Sequence, residues 1–152
     1  MSRVFGLTTL SLLFLATPAS AAVLKALNLC PFEIYCGGAK NDGTFSNTTK
    51  VPSGALYRSP LQANNDNIGT VLKCALNDQL QQPFQMEVNI QFGITWFDLS
   101  AVDGDPFLAY HRYAEVDSGL CPLDCPPYTK NCEWPVQLTC LTMNDSTMYL
   151  CK

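Results

Sequence analysis

Nine residues alternate strictly in polarity, Phe84-Gln85-Met86-Glu87-Val88-Asn89-Ile90-Gln91-Phe92, with an apolar residue at every even position and a polar one at every odd position. Successive side chains of a β-strand point to opposite faces, so this stretch is predicted to be a strand with one face in a core. Shorter stretches of this kind are 32–36 and 136–140, and β-branched or aromatic residues are concentrated at 68–74 and 94–97. No window has a convincing 3.6-residue apolar period, so helices are not predicted.

Clusters of turn-forming residues separate these stretches. They are Gly37-Gly38, Asn41-Asp42-Gly43, Pro52-Ser53-Gly54, Asn64-Asn65-Asp66-Asn67, Asp103-Gly104-Asp105-Pro106 and Pro126-Pro127. Short strands at this turn spacing predict an all-β fold, an antiparallel sandwich or barrel. The segment 119–135 holds three cysteines and four prolines in 17 residues, and its composition predicts a cystine-stapled loop rather than a strand or a helix.

The amino terminus has the composition of a secretory signal peptide. Arg3 precedes an apolar stretch at 4–16, and small residues stand three residues and one residue before a cleavage point after Ala21. The apolar stretch is shorter than the roughly 20 residues that cross a bilayer, and no later stretch could span one. We therefore expect residues 1–21 to be removed and residues 22–152 to form one extracellular, secreted domain of 131 residues.

Charge excludes one class of partner. Nine basic and thirteen acidic residues give the 152-residue chain a net charge of −4, and loss of Arg3 with the signal peptide makes it −5. Binding to a phosphate backbone depends on Lys and Arg, so nucleic acid is not expected as a partner.

All eight cysteines lie after the predicted signal peptide, which is typical of a chain that folds in an oxidising compartment. Four disulfides are expected, because the spacings contain no paired Cys-x-x-Cys knuckle for zinc. The spacing alone leaves 105 connectivities open. Closeness in sequence makes Cys36 with Cys74, and two bridges among Cys121, Cys125, Cys132 and Cys140, the simplest arrangement. Two N-glycosylation acceptors, Asn47-Thr48-Thr49 and Asn144-Asp145-Ser146, predict surface loops in a secreted protein.

The catalytic motifs of several enzyme classes are missing. A serine or cysteine hydrolase needs a base beside its nucleophile, but the only histidine is His111, which we expect to be a sheet residue with a locally satisfied ring, and no Gly-x-Ser-x-Gly elbow occurs. No phosphate loop, dinucleotide motif or calcium-binding loop is present, so no cofactor and no metal site is expected.

Four carboxylates remain as candidates: Glu87, Asp98, Asp103 and Asp105. If a short turn around Gly93 joins two neighbouring strands, these acids gather on one polar face. Such a group is suited to glycoside hydrolysis, to hydrogen bonds with sugar hydroxyls, or to a basic partner. The alternative is that the three Asp residues only cap turns, a common role for this residue.

The stretch Trp96-Phe97-Asp98-Leu99-Ser100-Ala101-Val102-Asp103-Gly104-Asp105-Pro106-Phe107 resembles the aromatic-aromatic-Asp signature of thaumatin-like proteins. The segment Asn28-Leu29-Cys30-Pro31-Phe32-Glu33-Ile34-Tyr35 resembles the first strand of that family, and Met148-Tyr149-Leu150-Cys151 resembles its carboxyl terminus. The length after signal-peptide removal is similar to the short fungal branch, the yeast-phase-specific secreted proteins, some of whose relatives elicit plant cell death.

The resemblance implies a disulfide-rich antiparallel β-sandwich in which the first and last cysteines, Cys30 and Cys151, are joined. It also implies an acidic cleft in which Asp98 and Asp103 take two family positions and Glu87 a third. This chain departs from the pattern at Gln85, where the family has an Arg, and in the shortened region after Cys121. The resemblance therefore favours binding over hydrolysis.

Two functions follow as expectations. The first is a secreted, non-enzymatic effector or elicitor that acts on a host plant surface, in monomeric form. The second is a protein that binds, or weakly hydrolyses, β-glucan or a related cell-wall polysaccharide. In that case the aromatic rings of Trp96 and Phe97 flank the acidic face and stack on sugars.

Overall fold

The computed structural model describes residues 21–117 and 119–152, and most of the predicted signal peptide lies outside these ranges. This part of the chain contains no helix and eleven strands. The strands are β1 (Ala21–Asn28), β2 (Ile34–Lys40), β3 (Thr49–Val51), β4 (Leu56–Asn64), β5 (Thr70–Ala75), β6 (Phe84–Gln91), β7 (Ile94–Ser100), β8 (Arg112–Val116), β9 (Leu120–Cys125), β10 (Gln137–Cys140) and β11 (Ser146–Leu150). The predicted all-β class is confirmed.

Two sheets form a sandwich. One has five strands in the order β4-β1-β11-β8-β9, and the other has six in the order β10-β7-β6-β5-β2-β3. All neighbours are antiparallel except β1 and β11, which run parallel in the middle of the five-stranded sheet. The free edges are therefore β4 and β3 on one side of the sandwich and β9 and β10 on the other. In the described residues, no helix is long and apolar enough to cross a membrane.

The alternating stretch is strand β6, and it is paired with β7 as predicted. Phe92 and Gly93 form a two-residue turn with φ of 54° and 76°, the left-handed conformation that the tight turns of β-hairpins require. The resulting register places Glu87 directly opposite Asp98. The even residues of β6, from Phe84 to Ile90, are at most 1% exposed and pack between the sheets.

The four disulfides follow from this topology. Because β1 and β11 are parallel neighbours, their carboxyl ends meet, and Cys30 lies beside Cys151 with the two Cα atoms 4.8 Å apart. Cys36 and Cys74 are directly opposite each other on β2 and β5. Cys30 and Cys151 are separated by 121 positions in the sequence, and closing a loop of this length stabilises a fold by about 4 to 5 kcal/mol in the chain-entropy model.

The other two disulfides lie at the β9–β10 side of the sandwich. Cys121 of β9 is joined to Cys140 of β10, so this bridge connects the edge strands of the two sheets. Cys125 and Cys132 close the short loop that follows β9. The expected Cys36–Cys74 bridge and the two bridges expected among the last four of the other cysteines are present, the Cys125–Cys132 bridge lying within the span of Cys121–Cys140.

One prediction was wrong in part. The segment 119–135 was expected to be a loop throughout, but Leu120–Cys125 forms strand β9. Proline is compatible with an edge strand, where one side of the backbone has no partner to bond. Strand β9 is such an edge, and its register with β8 shifts between Ala114 and Val116, where Cys121 and Pro122 have no ladder partner.

Candidate binding groove

A polar row crosses the outer face of the six-stranded sheet. The ladder places Val71, Glu87, Asp98 and Gln137 side by side on β5, β6, β7 and β10. Since Met86 and Val88 face the core, Glu87 between them faces outward. A groove of about 150 Å³ lies over this row, and Asn89 and Trp96 of the next row also line it. We call it the polar groove and define it by Glu87, Asn89, Trp96, Asp98 and Gln137.

Asp98 is the most perturbed group in the polar groove. It is only 4% exposed, and Gln137 Nε2 donates a hydrogen bond to its Oδ2 at 3.2 Å. Burial and, second, the charge of Glu87 raise the pKa of Asp98 to about 6, while the Gln137 bond acts in the opposite direction. Asp98 Oδ1 is buried and has no hydrogen-bond partner among the described residues.

A second acceptor in the polar groove is also free. Asn89 Nδ2 donates to Asn67 Oδ1 at 2.8 Å, which leaves Asn89 Oδ1 buried and without a partner in the described chain. A buried acceptor without a donor costs free energy, and a ligand hydroxyl or amide that reached either oxygen would remove this cost. Trp96 is opposite Asn89 in the ladder and is 38% exposed, so its ring is accessible beside these acceptors.

Asp103, the third predicted acid, lies outside the polar groove. Its Oδ2 is 3.3 Å from Lys73 Nζ, and its side chain is half exposed. Lys73 follows Val71 on the same face of β5, so the ion pair sits at the end of the outer face and not over Asp98. The structure thus brings Glu87 and Asp98 together and places Asp103 beyond them.

Asp105 was predicted for the acidic face, and this was wrong. Its side chain is 6% exposed and is ion-paired with the guanidinium of Arg112, which is 0% exposed. The same nitrogen, Nη1, donates to Glu133 Oε1 at 2.6 Å, and Nη2 donates to the Thr129 carbonyl at 2.5 Å. Asp105 does not lie on the outer face because the chain changes direction at Gly104, which has φ of 149° and stands between Asp103 and Asp105.

We call Asp105, Arg112 and Glu133 the buried ion cluster. Two carboxylates share one guanidinium there, and Arg112 also lies over the Phe84 ring at 5.1 Å. Burial raises the pKa of Asp105 to about 6; the charge of Arg112 lowers it, and Glu133 raises it again. Sequence reasoning did not find Arg112 or Glu133, since neither stands in a motif.

Phe97 was predicted to flank the acidic face, and this was also wrong. It is 0% exposed and belongs to the core, because neighbouring residues of a strand face opposite ways and Asp98 faces outward. The alternation itself was the signal that could have excluded it. Only Trp96 of the predicted pair is accessible. His111 lies next to β8, and its ring contacts Asp124 of β9.

The two predicted glycosylation acceptors are both exposed, Asn47 just before β3 and Asn144 just before β11. Among the described residues, no group of three or more His, Cys, Asp or Glu side chains is placed to hold a metal ion. The chemistry of the polar groove is therefore that of hydrogen-bond acceptors, one carboxyl that titrates near pH 6, and an accessible indole.

A family model described as "Bys1: Blastomyces yeast-phase-specific protein" matches residues 10–152. The chain belongs to this family. The match covers nearly all of the sequence, including both edges of the sandwich. A search of curated protein sequences found no match.

Two solved structures are similar to this Bys1-family chain. The protein elicitor MoHrip2 from Magnaporthe oryzae superposes with a TM-score of 0.73 at 18% identity, over 87% of this chain and all of that one. The thaumatin-like xylanase inhibitor TLXI superposes with a TM-score of 0.62 at 13% identity, over 85% of this chain and 99% of that one. These similarities confirm the thaumatin-like fold.

Proposed function

We propose that this protein is a secreted, non-enzymatic fungal elicitor that plant tissue recognises through its folded surface and answers with defence or cell death. The similarity to an elicitor along that protein's whole length is the observation that carries the proposal. Membership of the Bys1 family and the four disulfides, which are typical of export to an oxidising environment, support it.

A stapled sandwich is suited to this role. The disulfides connect the two ends of the chain, two neighbouring strands and the edges of both sheets, so local opening leaves the chain cross-linked. A protein that must persist among the proteases of a plant surface gains from this, since cleavage acts on opened states.

The test is infiltration of purified, disulfide-bonded protein into leaves. We expect a defence or cell-death response that also appears with the double variant Asp98→Ala and Asp103→Ala, provided that circular dichroism shows the variant to be folded. Reduced and alkylated protein is the control and should be inactive. Absence of any response to folded protein across several plant species contradicts the proposal. A response lost only in the double variant assigns the activity to the acidic outer face that carries Asp98 and Asp103.

A second candidate function is binding of a cell-wall polysaccharide in the polar groove. The free acceptors Asp98 Oδ1 and Asn89 Oδ1 favour it, because sugar hydroxyls are donors and the exposed face of Trp96 is suited to stacking on a sugar ring. Gln85 stands where the thaumatin-like pattern has an Arg, and this departure favours binding of the polysaccharide over its hydrolysis.

Pull-down with insoluble β-1,3-glucan, followed by a reducing-sugar assay, tests the second candidate. We expect Trp96→Ala and Asp98→Asn to reduce the bound fraction. The matched control is Phe92→Ala, which removes another exposed aromatic ring, 85% accessible, from the hairpin tip and not from the groove. Binding no greater than to a control polysaccharide, or equal losses in all three variants, removes this candidate.

A further inference from the structure

The two sides of the sandwich differ in how their edge strands are connected. At one side the edge strands β9 and β10 are joined by the Cys121–Cys140 disulfide. At the other side only the short segment 52–55 connects β3 to β4, without a disulfide among the described residues, and a cleft of about 750 Å³ lies between the two strands. We call it the side cleft; the lining residues that matter here are Phe45, Asn47, Thr49, Lys50 and Arg58.

A complete N-glycosylation acceptor lies on the wall of the side cleft. Asn47 and Thr49 are its first and third residues, and both line the cleft. Phe45, two residues before Asn47, lines it as well. Residues two apart have Cα atoms at most about 7 Å from each other, so the ring, the amide and the hydroxyl are close neighbours. Ser46 between them is anchored, because its hydroxyl accepts a hydrogen bond from the Gly38 amide at 2.7 Å.

Phe45 is 75% exposed, which leaves a large apolar ring uncovered at a sheet edge. The face of an aromatic ring suits the C–H groups of a sugar, which stack on it while the hydroxyls point to water or to polar groups. The side cleft supplies such groups. Arg58 has no ion-pair partner among the described residues. Lys50, whose Nζ lies 2.8 Å from Glu33 Oε1, also lines the cleft.

We propose that Asn47 carries an N-linked glycan whose first sugar packs on Phe45 and whose following sugars occupy the side cleft. The inference rests on the secretion that is part of the proposed function. In the transfer step, the bond between Asn47 Nδ2 and the anomeric carbon of the sugar forms. The bond from that carbon to a lipid pyrophosphate, the donor of the oligosaccharide, breaks; the amide proton is released and the lipid pyrophosphate leaves.

The glycan has a structural task at this place. Strands β3 and β4 are the free edges of their sheets, and free edges pair readily with other chains. Strand β3 is only three residues long and is followed by Pro52, which limits pairing, while β4 has nine residues. A bulky, hydrated glycan in the side cleft covers both edges, as the disulfide secures the opposite side.

The second acceptor provides the internal contrast. Two residues before Asn144 stands Thr142, so no ring is available for the sugar. Ser146 is 0% exposed within β11, and the side chain of Asp145 accepts from the Val23 amide at 2.8 Å. A glycan on Asn144 therefore gains no stacking contact of the kind that Phe45 offers Asn47.

The test uses the full chain secreted from a yeast host that performs N-glycosylation. We expect glycopeptide mass spectrometry to find Asn47 occupied. The occupied protein should melt about 2 to 5 °C higher than Asn47→Gln, the shift for a contact of this size in a domain of this length. An endoglycosidase that leaves only the first sugar should preserve the shift. In proteins that carry Phe45→Ala, the glycosylated form and the Asn47→Gln form should melt at the same temperature.

Two matched controls separate the contact from general effects. Phe92→Ala removes a similarly exposed ring elsewhere, 85% against 75% for Phe45, and should leave the glycan-dependent shift intact. Asn144→Gln should change the shift by less than 1 °C. An unoccupied Asn47, or a shift of the same size with and without Phe45, overturns the inference. The leaf response is measured on Asn47→Gln as well, so that failure here is separate from failure of the elicitor function.

Discussion

Asp98 and Asp105 stand seven residues apart, and burial raises the pKa of both to about 6, but their surroundings differ. Asp98 faces a solvent-connected groove beside Glu87, with Gln137 as its neutral partner and one oxygen free. Asp105 is enclosed with a guanidinium and a second carboxylate. A raised pKa alone therefore does not distinguish a carboxyl that binds a ligand from one that stabilises the fold. The two carboxyls are distinguished because Asp98 has an oxygen without a donor and no cation beside it, whereas Asp105 is paired with Arg112.

The largest expected loss of stability comes from the buried ion cluster around Asp105. Arg112→Met leaves Asp105 and Glu133 buried without a cation, and breaking a buried pair in this way costs about 3 to 5 kcal/mol. Urea unfolding measures it. Asp98→Ala in the polar groove is the matched change and should cost far less.

A triple variant sharpens the same point. Replacing the whole buried ion cluster at once, with Arg112→Met, Asp105→Asn and Glu133→Gln, removes the unpaired charges and should recover most of the lost stability. If the triple variant is as unstable as Arg112→Met alone, then Arg112 stabilises the fold through packing on Phe84 and the Thr129 carbonyl, and not through its charge.

The second effect concerns the residue that separates the two environments. Gly104 has φ of 149°, and a Cβ there would lie 2.5 to 2.6 Å from atoms of Gln82, including its backbone. Gly104→Ala should therefore cost about 1 to 3 kcal/mol, which thermal unfolding measures. Gly43→Ala is the control: Gly43 also has positive φ, at 88°, but nothing within 4 Å of the added carbon. Equal losses would show that backbone strain, and not the clash with Gln82, is the cause.

The position of Asp98 could be inferred from the sequence, and that of Asp105 could not. The alternation of β6 and the short turn at Gly93 are local signals, and they place Glu87 opposite Asp98. The course of the chain after Gly104 depends on a close approach to Gln82, 22 residues earlier, and on an ion pair with Arg112, which lies on a different strand of the other sheet. No period-2 pattern indicates such contacts, and so Asp105 was grouped with the wrong neighbours.

The fold shows the same division between local and distant causes. Strands β6 and β10 were predicted to within one residue, while the alternation at 32–36 located β2 but ended four residues before the strand does. Strand β4 was not, because Leu56 is exposed while Tyr57 and Ser59 are buried, which inverts the expected polarity at a sheet edge. Strand β9 was missed because Pro122 is tolerated only at an edge, and edge position is a property of the sheet and not of the segment.

The third prediction uses pH to compare the two carboxyls. Because the pKa of Asp98 is about 6 in the folded protein and ordinarily 3.8, the folded state binds the proton more tightly than the unfolded state does. The resulting stabilisation is fully present below about pH 4 and is lost as pH rises through 6. Asp98→Asn should therefore be neutral at pH 4 and gain about 1 kcal/mol over the parent at pH 7, a partial value because the groove is open to solvent.

Urea midpoints at pH 4, 5, 6 and 7 measure this gain. Glu87→Gln is the partner variant, since the charge of Glu87 is the second cause of the raised pKa of Asp98; it should give a smaller gain over the same range. A gain for Asp98→Asn that is constant from pH 4 to 7 would mean that the carboxyl does not titrate in this range. Asp98 would then not differ from an ordinary surface acid.

The smallest effect is expected at Asp103, the acid that belongs to neither environment. Its ion pair with Lys73 is 3.3 Å long, with side chains 49% and 28% exposed, and exposed pairs contribute about 0.2 to 1 kcal/mol. Lys73→Met should cost at most this amount, and the loss should disappear in 1 M salt, where the Debye length is about 3 Å. The cost of Arg112→Met, in contrast, should persist in salt, because a fully enclosed cluster is not screened. A Lys73→Met loss that survives salt would show that Lys73 stabilises the sheet by packing, and would leave Asp103 free to interact with a ligand at the end of the polar groove.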